Sequence, residues 1–142
     1  MNGEEKTWEG LKEIKKGTIL HDEFRDGLRF IIMRGPVSLC AYIGVPDGHP
    51  LAGFEYDDVP IDCHGGLTFS GGGDGYRPKG FWWYGWDYAH FGDYCFHDDG
   101  IPKKMNEDRK WLLGDVINDS WSVVYLVKQL MKLAEKIKEK EN

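Results

Sequence analysis

The chain has 142 residues, 41% hydrophobic and 30% charged, with a net charge of −6, which fits one folded domain with its own core and argues against disorder. Charge is uneven: Gly44 to Gly100 holds ten acids against two bases, Arg77 and Lys79, a surface that repels phosphate backbones and disfavours direct nucleic-acid binding. The longest strongly apolar run, Val123 to Val127, is far short of the roughly 20 residues of a membrane span.

The polar, acidic start, Met1 to Gly10, has no basic stretch followed by an apolar one, so it does not read as a secretory signal. The expected compartment is the cytoplasm. Trp8, Leu11 and Ile14 recur every three residues ahead of Gly17, which predicts a short amphipathic helix with a glycine stop. Gly27 to Met33 and Val37 to Val45 are rich in β-branched and aromatic residues around the Gly35-Pro36 step, which predicts an antiparallel hairpin. Leu39, Ala41 and Ile43 then share one face, and Ser38, Cys40 and Tyr42 the other.

From Pro46 the composition shifts: thirteen of the nineteen glycines lie between Gly44 and Gly100. Pro46 to Pro60 reads as an ordered loop. Gly66 to Ser70 reads as a short strand, with Gly71 to Gly75 as the turn after it. Phe81 to Asp87 is predicted as a central strand, with Phe81, Trp83 and Gly85 on one side and Trp82, Tyr84 and Trp86 on the other. After Asp98 to Pro102 a basic loop is expected, and Trp111 to Leu113 suits a helical turn or a strand. Asp119-Ser120 then reads as the N-cap of a helix running to about Lys140, with Val123, Leu126, Val127, Leu130, Leu133, Ala134 and Ile137 as its apolar stripe. The expected class is α+β: an antiparallel sheet covered by a long C-terminal helix, with a short N-terminal helix and a glycine-rich loop region. One domain spans 1–142, comprising an N-terminal helix within 1–20, a sheet and loop core over 26–100 and the C-terminal helix over 119–140.

Two clusters carry candidate chemistry. One runs from His49 through Asp58 to His64-Gly65-Gly66, and the other is Trp82 to Asp93. Imidazole and carboxylate are the side chains that ligate metals or move protons near neutral pH, and adjoining glycines let a ligand approach backbone. In Asp87-x-x-His90-x-x-Asp93 the three side chains converge if the segment is helical and diverge if it is extended. With His64 they would make a site for zinc, manganese or iron. Equally, His90 and Asp93 would serve to hold backbone in a glycine-rich turn. The aromatics, nine of the sixteen residues from Phe81 to Phe96, suit either a strand buried on both faces or a pocket for a flat or cationic ligand, with Trp83 and Trp86 as its walls. Cys40, Cys63 and Cys95 are odd in number and form no CxxC pair, so neither a disulfide framework nor a cysteine zinc ribbon is expected. Cys63 beside His64 on an extended chain would point away from it, which disfavours a Cys–His dyad.

Three linked blocks, GVPDGHPLAG, YDDVPIDCHGGLTFSG and FWWYGWDYAHFGDY, give the chain a resemblance over about Tyr42 to Tyr94. It resembles an uncharacterised family of small phage and prophage proteins with an HP step, an HGGLT strand and a WW-x-G-x-D-x-A-H-x-G-D block. The resemblance implies that His49, Asp58, His64, Gly65, Gly66, Asp87, His90, Gly92 and Asp93 are the positions to watch. It also implies a phage accessory protein, by analogy one with counter-defence activity. The expected function is therefore binding: a His/Asp/aromatic pocket, with His49, Asp58, His64, Gly65, Gly66, Trp83, Trp86 and Asp87 as ligand residues, that sequesters a small polar ligand or inhibits a host protein. The alternative is a metal-dependent hydrolase, with zinc or manganese on His64, His90 and Asp93 and Asp87 activating water. A purely structural or interaction role is the third reading.

Overall fold

The computed structural model describes residues 7–98 and 109–141. The basic loop expected after Pro102, up to residue 108, and the polar start up to residue 6 lie outside the described residues. Helix α1 (Trp8–Glu13) begins with Thr7 accepting the Gly10 N–H on its side chain. Five strands follow: β1 (Ile19–Arg25), β2 (Leu28–Arg34), β3 (Leu39–Pro46), β4 (Phe69–Asp74) and β5 (Arg77–Asp87). They form one antiparallel sheet in the order β1-β2-β3-β5-β4. The chain closes with the 29-residue helix α2 (Leu113–Glu141), which packs across β2 and β3. The expected α+β class and covering helix are what the chain adopts.

The face assignments hold. Leu39, Ala41, Ile43, Tyr84 and Trp86 sit in the main core, beneath α2 and beside Val116, Val123 and Val127. Tyr42 and Trp83 pack on the opposite face with Ile31 and Met33. Arg34 crosses from β2 to α1, where it donates to the Leu11 and Lys12 carbonyls and lies 3.8 Å from the Phe96 ring centroid.

Three expectations are corrected. The sheet core, expected from residue 26, begins at Ile19: β1 is a charged edge strand with no fully buried residue, and charge is how edges are kept from pairing further. The run Gly71 to Gly73 lies within β4, and the turn comes after it at Gly75, whose φ is +59°. A Cβ on Gly73 would sit 2.2 Å from the Pro78 carbonyl oxygen, so the bulged edge needs a residue without one. The C-terminal helix starts at Leu113, six residues before the expected cap. There the Leu112 N–H donates to the Asp115 carboxylate, the back-bond of a capping box, and Ser120 is buried within the helix.

Beyond the sheet the expected stripe comes out into solvent, Leu133 at 54% and Ile137 at 51% exposure. There it borders an open groove with Pro50, Leu51, Phe54 and Val59. No helix among the described residues is long and apolar enough to cross a membrane.

Candidate metal centre

Two chain segments meet beside the end of β5. The first is the turn Cys63 to Gly66, closed by the Gly66 N–H to the Cys63 carbonyl at 3.0 Å. It presents His64. The second leaves β5 at Asp87 and turns at once. The Ala89 N–H donates to Asp87 Oδ1 at 3.1 Å, and the Asp93 N–H closes on the His90 carbonyl at 2.8 Å. Gly92 takes φ +90° at the third position of that turn, where only glycine is comfortable. The segment is therefore neither helical nor extended. A turn brings His90 and Asp93 together, and Asp93 accepts the His90 N–H within it, so the expected backbone-holding role in a glycine-rich turn is present and the two side chains converge as well.

Asp93 is the anchor, its side chain only 4% exposed. Its Oδ2 accepts His64 Nε2 at 2.7 Å and the His90 N–H at 2.9 Å, and its Oδ1 accepts the Trp111 indole N–H at 2.8 Å. Burial alone pushes the Asp93 carboxyl up, but these donors outweigh it and hold the group below the usual carboxylate value. Trp111 is held in turn by the backbone just before it: the Tyr94 N–H donates to Arg109 O and the Arg109 N–H to Gly92 O, each at 2.8 Å.

His64 lies flat on Tyr88, ring centroids 4.7 Å apart at 11°, with Trp111 at 4.8 Å and His90 edge-on at 5.5 Å. Tyr88 is fixed from below, accepting the Trp86 indole N–H at 3.1 Å and donating to Asp119 at 2.6 Å. His90 stands between two carboxylates, with Nδ1 3.6 Å from Asp93 and Nε2 3.6 Å from Asp87. Gly65 forms the wall behind it, since a Cβ there would fall 2.3 Å from His90 Cε1.

His64, His90 and Asp93 thus place one ligand atom each within 4.8 Å of one another, a group that could hold a metal ion. The donor set fits. Around a zinc-sized ion, ligand atoms stand about 3.4 Å apart. The His90 Nδ1 to Asp93 Oδ2 distance of 3.6 Å already matches. The His64 to Asp93 hydrogen bond at 2.7 Å would give way: an ion would take the place of the Nε2 proton, which would move to Nδ1 or to solvent, and the two atoms would part by a fraction of an ångström. His90 Nδ1 is buried and makes no hydrogen bond, which suits a ligand nitrogen. Two imidazoles and one carboxylate match zinc, manganese or iron and leave coordination positions open.

Other sequence-predicted residues lie elsewhere. His49 bonds Glu135 of α2 at 3.0 Å and accepts the Leu51 N–H. Asp58 borders the apolar groove. Trp83 is fully buried in the second core, its indole on the Pro78 carbonyl. Trp86 is buried in the main core and reaches the centre only through Tyr88. Gly65 and Gly66 lie at the centre, and Asp87 stands beside His90. Burial pushes the thiols of Cys40 and Cys63 up to about 12, so neither is a ready nucleophile. Sequence reading did not find Trp111 or Tyr88 as site residues: an indole donor to a carboxylate eighteen positions away leaves no local spacing. The chain matches no family model, no curated protein and no solved structure.

Proposed function

We propose that this chain is a binding protein whose functional centre is a divalent transition-metal site formed by His64, His90 and Asp93, with zinc or manganese as the ion. One observation carries the reading: two half-exposed imidazoles and a buried carboxylate, drawn from two separate turns, bring ligand atoms within 4.8 Å of each other. Three protein ligands leave room on the ion for a small polar ligand or water. Gly65, Gly66 and the fully exposed Phe91, which adjoin the ligand residues in the chain, are open to solvent. In a phage accessory protein, the setting that the three motif blocks resemble, such a centre would sequester a small polar ligand or engage a host protein. Hydrolysis is the second reading, favoured by those same open positions.

The test is a metal titration of the full chain followed by thermal unfolding. Zn²⁺ or Mn²⁺ should bind at one equivalent and raise Tm, and His64→Ala and His90→Ala should each abolish the rise. A wild-type chain that neither retains metal nor gains stability from it would remove the proposal. Turnover of simple esters or phosphodiesters by the loaded wild type, lost in both variants, would select the hydrolase.

A further inference from the structure

The two carboxylates flanking His90 are at equal distance from its two ring nitrogens, yet they are not equivalent partners. Asp93 Oδ2 already accepts two hydrogen bonds, from His64 and from the His90 backbone, and its Oδ1 accepts Trp111. Among the described residues Asp87 Oδ1 takes only the Ala89 N–H as a hydrogen bond, and its Oδ2 only a long contact of 3.5 Å from the Thr68 hydroxyl. The acceptor capacity left over is on Asp87. His90 Nδ1 is the buried nitrogen without a hydrogen bond. A proton there would be a buried orphan donor, whereas a lone pair there is tolerated and is what a metal needs.

We infer that Asp87 is a positioning residue for this centre: it holds the His90 proton on Nε2, so that the Nδ1 lone pair faces Asp93 and His64. This replaces the water-activating role that the hydrolase reading gave it. It is the carboxylate–histidine pairing that fixes ring orientation and basicity behind metal ligands. The tautomer is inferred from the spare acceptor capacity of Asp87 and the burial of Nδ1, with both carboxylates 3.6 Å from the ring; its use in metal binding rests on the metal-centre reading above.

The experiment uses the full chain, labelled with ¹⁵N, in two arms. In the first, long-range ¹H–¹⁵N spectra of the metal-free protein at pH 8, above the ordinary imidazole range, read the tautomer of His90. Wild type should show a protonated Nε2 and a bare Nδ1. Asp87→Ala should move His90 to a mixture of both tautomers. Asp87→Asn keeps an acceptor for the Ala89 N–H and should give a smaller change, which guards against an Ala variant that misfolds. A protonated Nδ1 in wild type, or a tautomer unmoved in both variants, overturns the inference. In the second arm Co²⁺ is titrated alone. Asp87→Ala should weaken it about 10–100-fold with the fold intact by amide dispersion. If wild type binds no Co²⁺ while the tautomer shifts as stated, the metal-centre reading fails and the positioning role of Asp87 stands. If Co²⁺ binds equally in wild type and Asp87→Ala, Asp87 is not a positioning residue for the ion.

Discussion

Gly65 and Gly66 offer a matched pair of substitutions. Both have positive φ, +70° and +83°, so alanine at either position meets left-handed backbone strain of about 1–2 kcal/mol. They differ in what the new methyl would touch. At Gly66 nothing lies within 4 Å; at Gly65 the methyl would fall 2.3 Å from His90 Cε1 and 2.4 Å from both ring nitrogens. That overlap is with the ring itself, so the imidazole must rotate as a unit away from Asp87 and Asp93. An off-rotamer ring costs a further ~1 kcal/mol. Gly66→Ala should therefore destabilise the chain by about 1–2 kcal/mol and Gly65→Ala by about 2–3 kcal/mol. In a domain of this size that difference corresponds to a gap of roughly 3 °C in Tm. Urea unfolding and calorimetry read the stability. Zn²⁺ titration reads the second consequence: Gly65→Ala should lose at least tenfold in affinity, while Gly66→Ala stays close to wild type. Equal losses in the two variants, in stability and in affinity, would refute the contact between Gly65 and the His90 ring as the feature that places His90.

Three further outcomes follow from the buried anchor and the thiols. Trp111→Phe keeps an aromatic group but removes the indole N–H that Asp93 Oδ1 accepts and leaves a void where the larger ring packed, which should cost at least the ~1–3 kcal/mol of the lost donor in urea unfolding. Asp93→Asn turns an amide group toward groups that themselves donate, and should cost roughly 3 kcal/mol, the scale of breaking a buried pair. The depressed Asp93 carboxyl contributes stability that is fully present above its unfolded value of about 3.9 and is lost as pH falls through the lower folded value. The wild-type advantage over Asp93→Asn should therefore hold from neutral pH to about pH 5 and shrink below pH 4. An advantage independent of pH down to pH 2 would contradict the pairing. Cys40 and Cys63, raised to about 12 by burial, should alkylate far more slowly at pH 8 in the native chain than in urea, read by peptide mass spectrometry; fast native labelling would show that these thiols are accessible.

The central strands were legible because burial on both sheet faces writes a near-continuous run of apolar and aromatic residues into the sequence. Leu39, Ala41 and Ile43, and the aromatics of β5, are the cases. Strand β1 hid behind His21-Asp22-Glu23, since an edge that must not pair further carries charge where a strand signal would carry apolar residues. Its turn was nonetheless written plainly: Asp26 and Gly27 both have positive φ, 54° and 83°, between the paired Arg25 and Leu28, the two-residue hairpin that Asp-Gly favours. The helix start was missed for a related reason. Asp119-Ser120 has cap chemistry, but Asp119 is used to accept the Tyr88 hydroxyl, and the cap falls to Asp115. A residue type suited to a cap says nothing about which tertiary partner will claim it.

The candidate centre was legible for the same reason that its route was not. Histidines and aspartates at three-residue spacing announce convergence, but spacing fixes convergence only for a repeating backbone, and this segment does not repeat. Gly92 supplies the positive φ that folds His90 back over Asp93, so a glycine inside the motif carries the geometric information that the His and Asp positions lack. The same logic separates Asp93 from the nine other acids of the middle segment. Most of those are solvated, and nine acids against two bases leave a charge of about −7 that acts on the surroundings as a field. Asp93 alone has its carboxylate buried under three donors among the described residues. A carboxylate in that setting stays charged through its donors, and it keeps two imidazoles within reach of one ion.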